Sequence, residues 1–122
     1  RPLLRPRWAG VIDTVGGNTL ATAIKTTNYC GAVTTCGNAG GVDFTSSVYP
    51  FILKGITLYG IDSVDCPMNL RLKIWDLLSN EWKLDDLDDM VNVVSLEELN
   101  DSIDSIMAGK HVGRTVVDLE KI

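Results

Sequence analysis

The sequence predicts a parallel α/β sheet. Three short apolar runs, WAGVID at residues 8–13, GAVTTC at 31–36 and ITLYGID at 56–62, alternate with two stretches of helical character. Runs that are nearly continuous in apolar character suit strands covered on both faces. The first two lead into glycine pairs, Gly16-Gly17 and Gly40-Gly41, where the chain turns away from a strand tip.

The first run closes on Asp13, and Val15-Gly16-Gly17 forms the turn after it. Asn18 is placed to cap a short helix with Leu20, Ala23, Ile24 and Thr27 along one face, closed by Asn28 and Gly31. After the second strand comes CGNAGG at 36–41, then a polar loop at 42–47. Residues 48–54 form a second helix with Pro50 in its first turn, ended by Gly55. Strand, helix, strand, short helix, strand is the order of a right-handed parallel unit.

Beyond residue 63 the pattern changes. Pro67 opens a helix carrying Leu70, Ile74, Leu77, Leu78 and Trp82. Four aspartates in residues 85–89 form an acidic turn, and residues 90–94 a short strand. Ser95 and Glu98 have the spacing of a capping box, in which each side chain takes up the other's free amide. The helix behind it carries Leu99, Ile103, Ile106 and Met107 and ends at Gly109; residues 114–119 are the last strand.

Composition bounds the function. With 16 acidic residues against 11 basic, the net charge of −5 disfavours a nucleic-acid partner. No apolar run reaches membrane-spanning length, so no membrane partner is expected. Cys30, Cys36 and Cys66 have no C-x-x-C spacing and His111 is the single histidine, so no metal site is expected. The cysteines read as reduced, mostly buried thiols of a cytoplasmic protein. Tyr29, Tyr49 and Tyr59 read as packing residues, and His111 as exposed or as a cation at a helix end. Neither glycine loop is a G-x-G-x-x-G or Walker motif.

The segments WAGVIDTVGG, NYCGAVTTCGNAGG, YPFILKGITLYGIDSV and GRTVVDL follow one another in an order that is more specific than any of them alone. Together, from Trp8 to Leu119, they resemble the C-terminal portion of the medium-chain dehydrogenase/reductase superfamily. The closest likeness is to its zinc-free quinone-oxidoreductase-like branch, which includes the bacterial acrylyl-CoA reductases. The resemblance implies the second half of a Rossmann sheet in residues 1–63. Residues 64–122 would be the returning C-terminal part of a GroES-like catalytic domain. It also implies NADP as cofactor, with hydride transfer to an activated alkene, such as an acrylyl or enoyl thioester, or to a quinone-like acceptor.

The same resemblance assigns candidate cofactor contacts. Asn38 falls near the nicotinamide, where a turn-forming role is the alternative. Ile52 falls near the nucleotide, with core packing as the alternative. Ser63 is a cofactor-proximal hydroxyl or a turn cap. Arg114 is a clamp for phosphate or ribose oxygens, or a surface or interdomain ion pair. Asp13 and Asp62, at strand ends, either line the crevice or satisfy loop amides. No residue stands out as a catalytic acid.

The phosphate loop of the family lies upstream of everything here. The expectation is therefore a piece of a longer enzyme, inactive alone, acting on a small-molecule substrate in the full-length protein. With sheet edges exposed, it would form a homo-oligomer through them. The competing reading is a non-catalytic α/β interaction domain built on the same half-sheet.

Overall fold

Leu20, Ala21 and Ile24 lie on one face of a single helix, and burial of that face organises the N-terminal part of the chain. The computed structural model describes residues 1–121. It divides into two compact units, Arg1–Met68 and Asn69–Ile122.

The first unit holds β1 (Trp8–Asp13), α1 (Gly17–Thr26), β2 (Thr27–Thr35), α2 (Tyr49–Lys54) and β3 (Thr57–Gly60). The strands form one sheet in the order β1-β2-β3, with every pairing parallel, as expected. At its C-terminal end the register runs Asp13↔Thr35↔Gly60. The core is small: Leu20 and Ile24 meet Val33 and Ile56, with Val11, Phe51 and Leu58 packed around them.

Three element boundaries around α1 and β2 differ from expectation. Helix α1 begins at Gly17 with no side-chain cap, and Asn18 lies inside its first turn. The helix ends at Thr26, and threonine hydroxyls bond carbonyls of its last turns. Thr26 Oγ1 donates to the Thr22 carbonyl and Thr27 Oγ1 to the Ala23 carbonyl, each at 2.8 Å. Strand β2 therefore starts at Thr27 rather than at residue 31. Gly31 serves a bulge instead of closing the helix: pairing steps from Trp8↔Thr27 to Gly10↔Ala32, and Cys30 takes φ 57°. A Cβ at Gly31 would lie 2.6 Å from the Ala9 carbonyl oxygen.

Helix α2 carries Pro50 in its first turn and ends on Gly55 at φ 62°, as read from the sequence. Lys54, near its end, spans the base of the unit. Its ammonium donates to the carbonyls of Lys25 and Thr27, both at 3.0 Å, and to that of Leu4 at 3.4 Å. One cation thus satisfies the end of α1 and holds the N-terminal segment.

Burial departs from the expectation of strands covered on both faces. Trp8 is 51% exposed and Ile12 81% exposed on β1, the first strand of the three-stranded sheet. Cys30 and Cys36 are exposed and Cys66 is half-buried, which corrects the expectation of mostly buried thiols. Tyr29, Tyr49 and Tyr59 are also exposed rather than packed.

The second unit holds α3 (Met68–Ser79), a 3₁₀ turn (Asp88–Met90), β4 (Val91–Val94), α4 (Leu99–Met107) and β5 (Arg114–Val117). Strands β4 and β5 pair in parallel, joined by the crossover through α4. Helix α3 stops three residues short of Trp82, whose amide instead bonds the Leu77 carbonyl at 2.7 Å. Gly113 turns the chain into β5 at φ 82°, where a Cβ would strike the Met90 backbone.

The capping box forms. The Ser95 amide donates to Glu98 Oε2 at 2.8 Å, and the Glu98 amide to Ser95 Oγ at 3.4 Å. The Ser95 amide, then its hydroxyl, then the Lys121 ammonium hold the Glu98 carboxyl below its ordinary range. The folded value lies below the unfolded one. The contribution is therefore complete above the ordinary carboxylate range and is lost as pH falls through the lowered value. We expect Glu98→Gln to keep the cap but to remove this pH dependence. Urea midpoints followed by tryptophan fluorescence, from about pH 7 to about pH 3, should fall less steeply in the variant than in the wild type. Equal slopes in the two proteins would contradict the assignment.

Candidate functional site

The C-terminal ends of parallel strands all point one way, so whatever their loops hold is gathered on one side of the sheet. In the first unit these ends open a groove of about 620 Å³. Thr35, Cys36, Gly37 and Asn38 line it from the tip of β2, and Gly60, Ile61 and Asp62 from the tip of β3.

Backbone contact between two loops shapes one wall of the groove. The Gly40 amide donates to the Val15 carbonyl at 2.7 Å, and the Cys36 amide to the Asp13 carbonyl at 2.9 Å. The glycines permit this approach. A Cβ at Gly16 would sit 2.5 Å from the Gly41 carbonyl oxygen, and one at Gly17 would sit 2.7 Å from that of Gly40. A Cβ at Gly37 would run into the Thr14 backbone. The doublets that mark these loops in the sequence meet each other's main chain.

Asp13 anchors the arrangement. It is 3% exposed, and its carboxylate accepts from the amides of Val15 and Gly16 at 3.1–3.3 Å and from Thr35 Oγ1 at 3.0 Å. Of the two roles open to it in the sequence, it takes the satisfaction of loop amides. Asp62 does likewise while lining the groove: its Oδ1 accepts from the amides of Val64 and Asp65 at 2.9 and 3.1 Å.

Among the four candidate contacts, Asn38 lines the groove. Ser63 directly follows the lining residue Asp62. Ile52 lies on α2 and is 68% exposed in this chain. Arg114 belongs to the second unit, where it opens β5 opposite Val91 and is exposed. Thr35, Gly60 and Ile61 line the groove without having been singled out. Their signal was available in their place in the C-terminal parts of two predicted strands.

A second, polar depression of about 430 Å³ lies in the second unit, where half-buried His111 shares the lining with Glu98, Asp101 and Lys121. Among the described residues no three His, Cys, Asp or Glu side chains converge as metal ligands, and no helix is long and apolar enough to cross a membrane.

Comparison with known proteins gives this geometry its context. No protein-family model matches the chain. It is 40% identical over 120 residues to a putative quinone oxidoreductase, YhfP, of Bacillus subtilis (strain 168), covering 98% of this chain and 36% of that protein. It is 38% identical over 119 residues to the acrylyl-CoA reductase AcuI of Ruegeria pomeroyi, with 98% and 36% covered. The crystal structure of the Bacillus subtilis protein with NAD bound superposes with a TM-score of 0.82 at 40% identity, covering 98% of this chain and 36% of that one. The Escherichia coli K-12 YhdH structure with bound NADPH superposes at 0.79 with 36% identity, covering 98% and 37%. The chain spans about a third of the length of the relatives it matches.

A parallel β-α-β-α-β unit with a groove at its strand tips, followed by a second α/β segment, is the class of fold formed by half of a Rossmann sheet and the C-terminal part of a GroES-like domain. Over 98% of its length the chain matches the C-terminal portion of quinone oxidoreductases and acrylyl-CoA reductases of the medium-chain dehydrogenase/reductase type.

The loop contact makes a quantitative demand. Gly37→Ala forces the Thr14 backbone away and should cost about 1–3 kcal/mol, the range for overpacking a closed contact. Urea unfolding of the variant measures it. Wild-type stability would mean that the two loops separate freely.

Proposed function

We propose that this polypeptide contributes the nicotinamide side of the cofactor crevice in an NADPH-dependent oxidoreductase. Residues 1–63 are the second half of its nucleotide domain, and residues 64–122 the returning part of its catalytic domain. The observation that carries this reading is the groove at the tips of β2 and β3, in a chain 40% identical to a quinone oxidoreductase.

The groove suits the nicotinamide end of a dinucleotide in size and lining. It offers about 620 Å³, glycine main chain at Gly37 and Gly60, and the polar side chains of Thr35, Asn38 and Asp62. When bound, the cofactor supplies the hydride, which reduces an activated alkene, such as an acrylyl or enoyl thioester, or a quinone. This chain's residues bind and orient. The Asn38 amide carries both a donor and an acceptor for a carboxamide. The Ser63 hydroxyl serves the ribose, Ile52 gives apolar contact, and the Arg114 guanidinium neutralises phosphate in the assembled enzyme.

The chemistry is independent of zinc in this reading. One histidine and three cysteines at unrelated spacings are a poor donor set for it. The free cysteines suit a reducing cytoplasm.

Catalysis needs the remaining length that the relatives possess. With acrylyl-CoA and NADPH, the purified 122-residue chain should show no turnover. NADPH should bind it weakly, at about millimolar concentration. In ¹⁵N–¹H spectra the shifts it causes should concentrate at Cys36, Gly37, Asn38, Gly60, Ile61 and Asp62. Reductase turnover would refute the claim of inactivity, and shifts absent from the groove would refute the cofactor assignment.

The outer edge of β1, unpaired among the described residues, supports association through sheet edges. Light scattering at micromolar concentration should report a dimer or larger species; a monodisperse monomer rules this out.

A further inference from the structure

We infer that Asp13 is a positioning residue that sets the shape of the groove by locking the tips of all three strands and both glycine loops together; its role toward cofactor builds on the reading above. Asp13 lies outside the groove lining, yet its bonds lead into it from two directions. Through Oδ1 and Oδ2 it accepts from the Gly16 amide at 3.2 and 3.1 Å, fixing the loop that meets Gly37, Gly40 and Gly41. Through Oδ2 it also accepts from Thr35 Oγ1 at 3.0 Å. Thr35 lines the groove, and its carbonyl accepts the amide of Ile61, another lining residue, at 2.9 Å. The Asp13 carbonyl in turn accepts the amide of Cys36 at 2.9 Å. The path runs from the start of α1, through Asp13, to β2 and then β3. A buried acceptor of several convergent donors holds them in one geometry, because each would lose its partner if the loops moved apart.

Removing the carboxylate should loosen this junction before it loosens the sheet. In Asp13→Ala, the Gly40 and Cys36 amides should exchange with solvent at least about tenfold faster relative to Val33, which lies in the middle of the ladder. Asp13→Asn should largely restore their protection. Its amide oxygen still accepts from Val15 and Gly16, and its nitrogen can donate to Thr35 Oγ1. The NADPH-induced shifts at Cys36–Asn38 should disappear in the Ala variant and return in the Asn variant.

Gly40 and Cys36 remaining as protected in Asp13→Ala as in the wild type would overturn the proposal. So would uniform loss of protection at Val33, Cys36 and Gly40 in both variants, since that is the signature of a residue needed only for folding. If NADPH shifts nothing in the wild type, the cofactor reading falls, and the exchange rates alone decide the role of Asp13.

Discussion

Backbone meets backbone where the loop after β1 crosses the loop after β2, and the buried carboxylate of Asp13 holds that crossing closed. Side chains at Gly16, Gly17 or Gly37 would separate the loops, and without the carboxylate the Gly16 amide would lose its acceptor. The lining of the groove follows from this contact. Thr35 is held from behind by Asp13, and Cys36 is tied to the Asp13 carbonyl. Gly37 and Asn38 then leave the strand in a direction already constrained. A binding surface made largely of main chain depends on such constraint, because it has few side-chain rotamers with which to adapt.

The apolar surface is distributed in a way that bears on the proposed role. Fully buried hydrophobic residues reduce to Leu20, Ala21, Ile24, Val33, Ile56 and Val94 among the described positions. Large apolar side chains such as Ile12, Val64 and Trp75 stand mostly exposed. The relatives carry almost twice as much additional sequence as they share with this chain, which fits a polypeptide built to be part of a larger fold.

Much of the architecture was legible in the sequence because hydrophobic runs and turn residues agreed. All five strands of the two units lie within or overlap their predicted spans, and Pro50, Gly55 and the Ser95/Glu98 box behave as local chemistry dictates. The misreadings came from signals that depend on distant partners. Asn18 has the right side chain for a cap, but Gly16 and Asp13 already determine how α1 begins. Gly31 resembles a helix stop, yet its smallness is needed beside Ala9 on the neighbouring strand. Burial of β1 could not be read from WAGVID alone, since the pattern reports what a strand can tolerate and not what lies next to it. The groove was legible only in part. Asn38 is conspicuous between glycines, whereas Thr35 gains its place through a hydrogen bond to a residue 22 positions earlier.

The bulge between Thr27 and Ala32 gives β2 a form of slack. Four residues of β2 stand opposite the single Ala9 of β1, and regular pairing resumes only at Gly10↔Ala32. Length changes among residues 28–30 can be taken up there without passing down the ladder to Val33, Thr34 and Thr35. Small insertions and deletions during divergence would therefore accumulate at this end of the strand, while the spacing of its opposite end stayed the same.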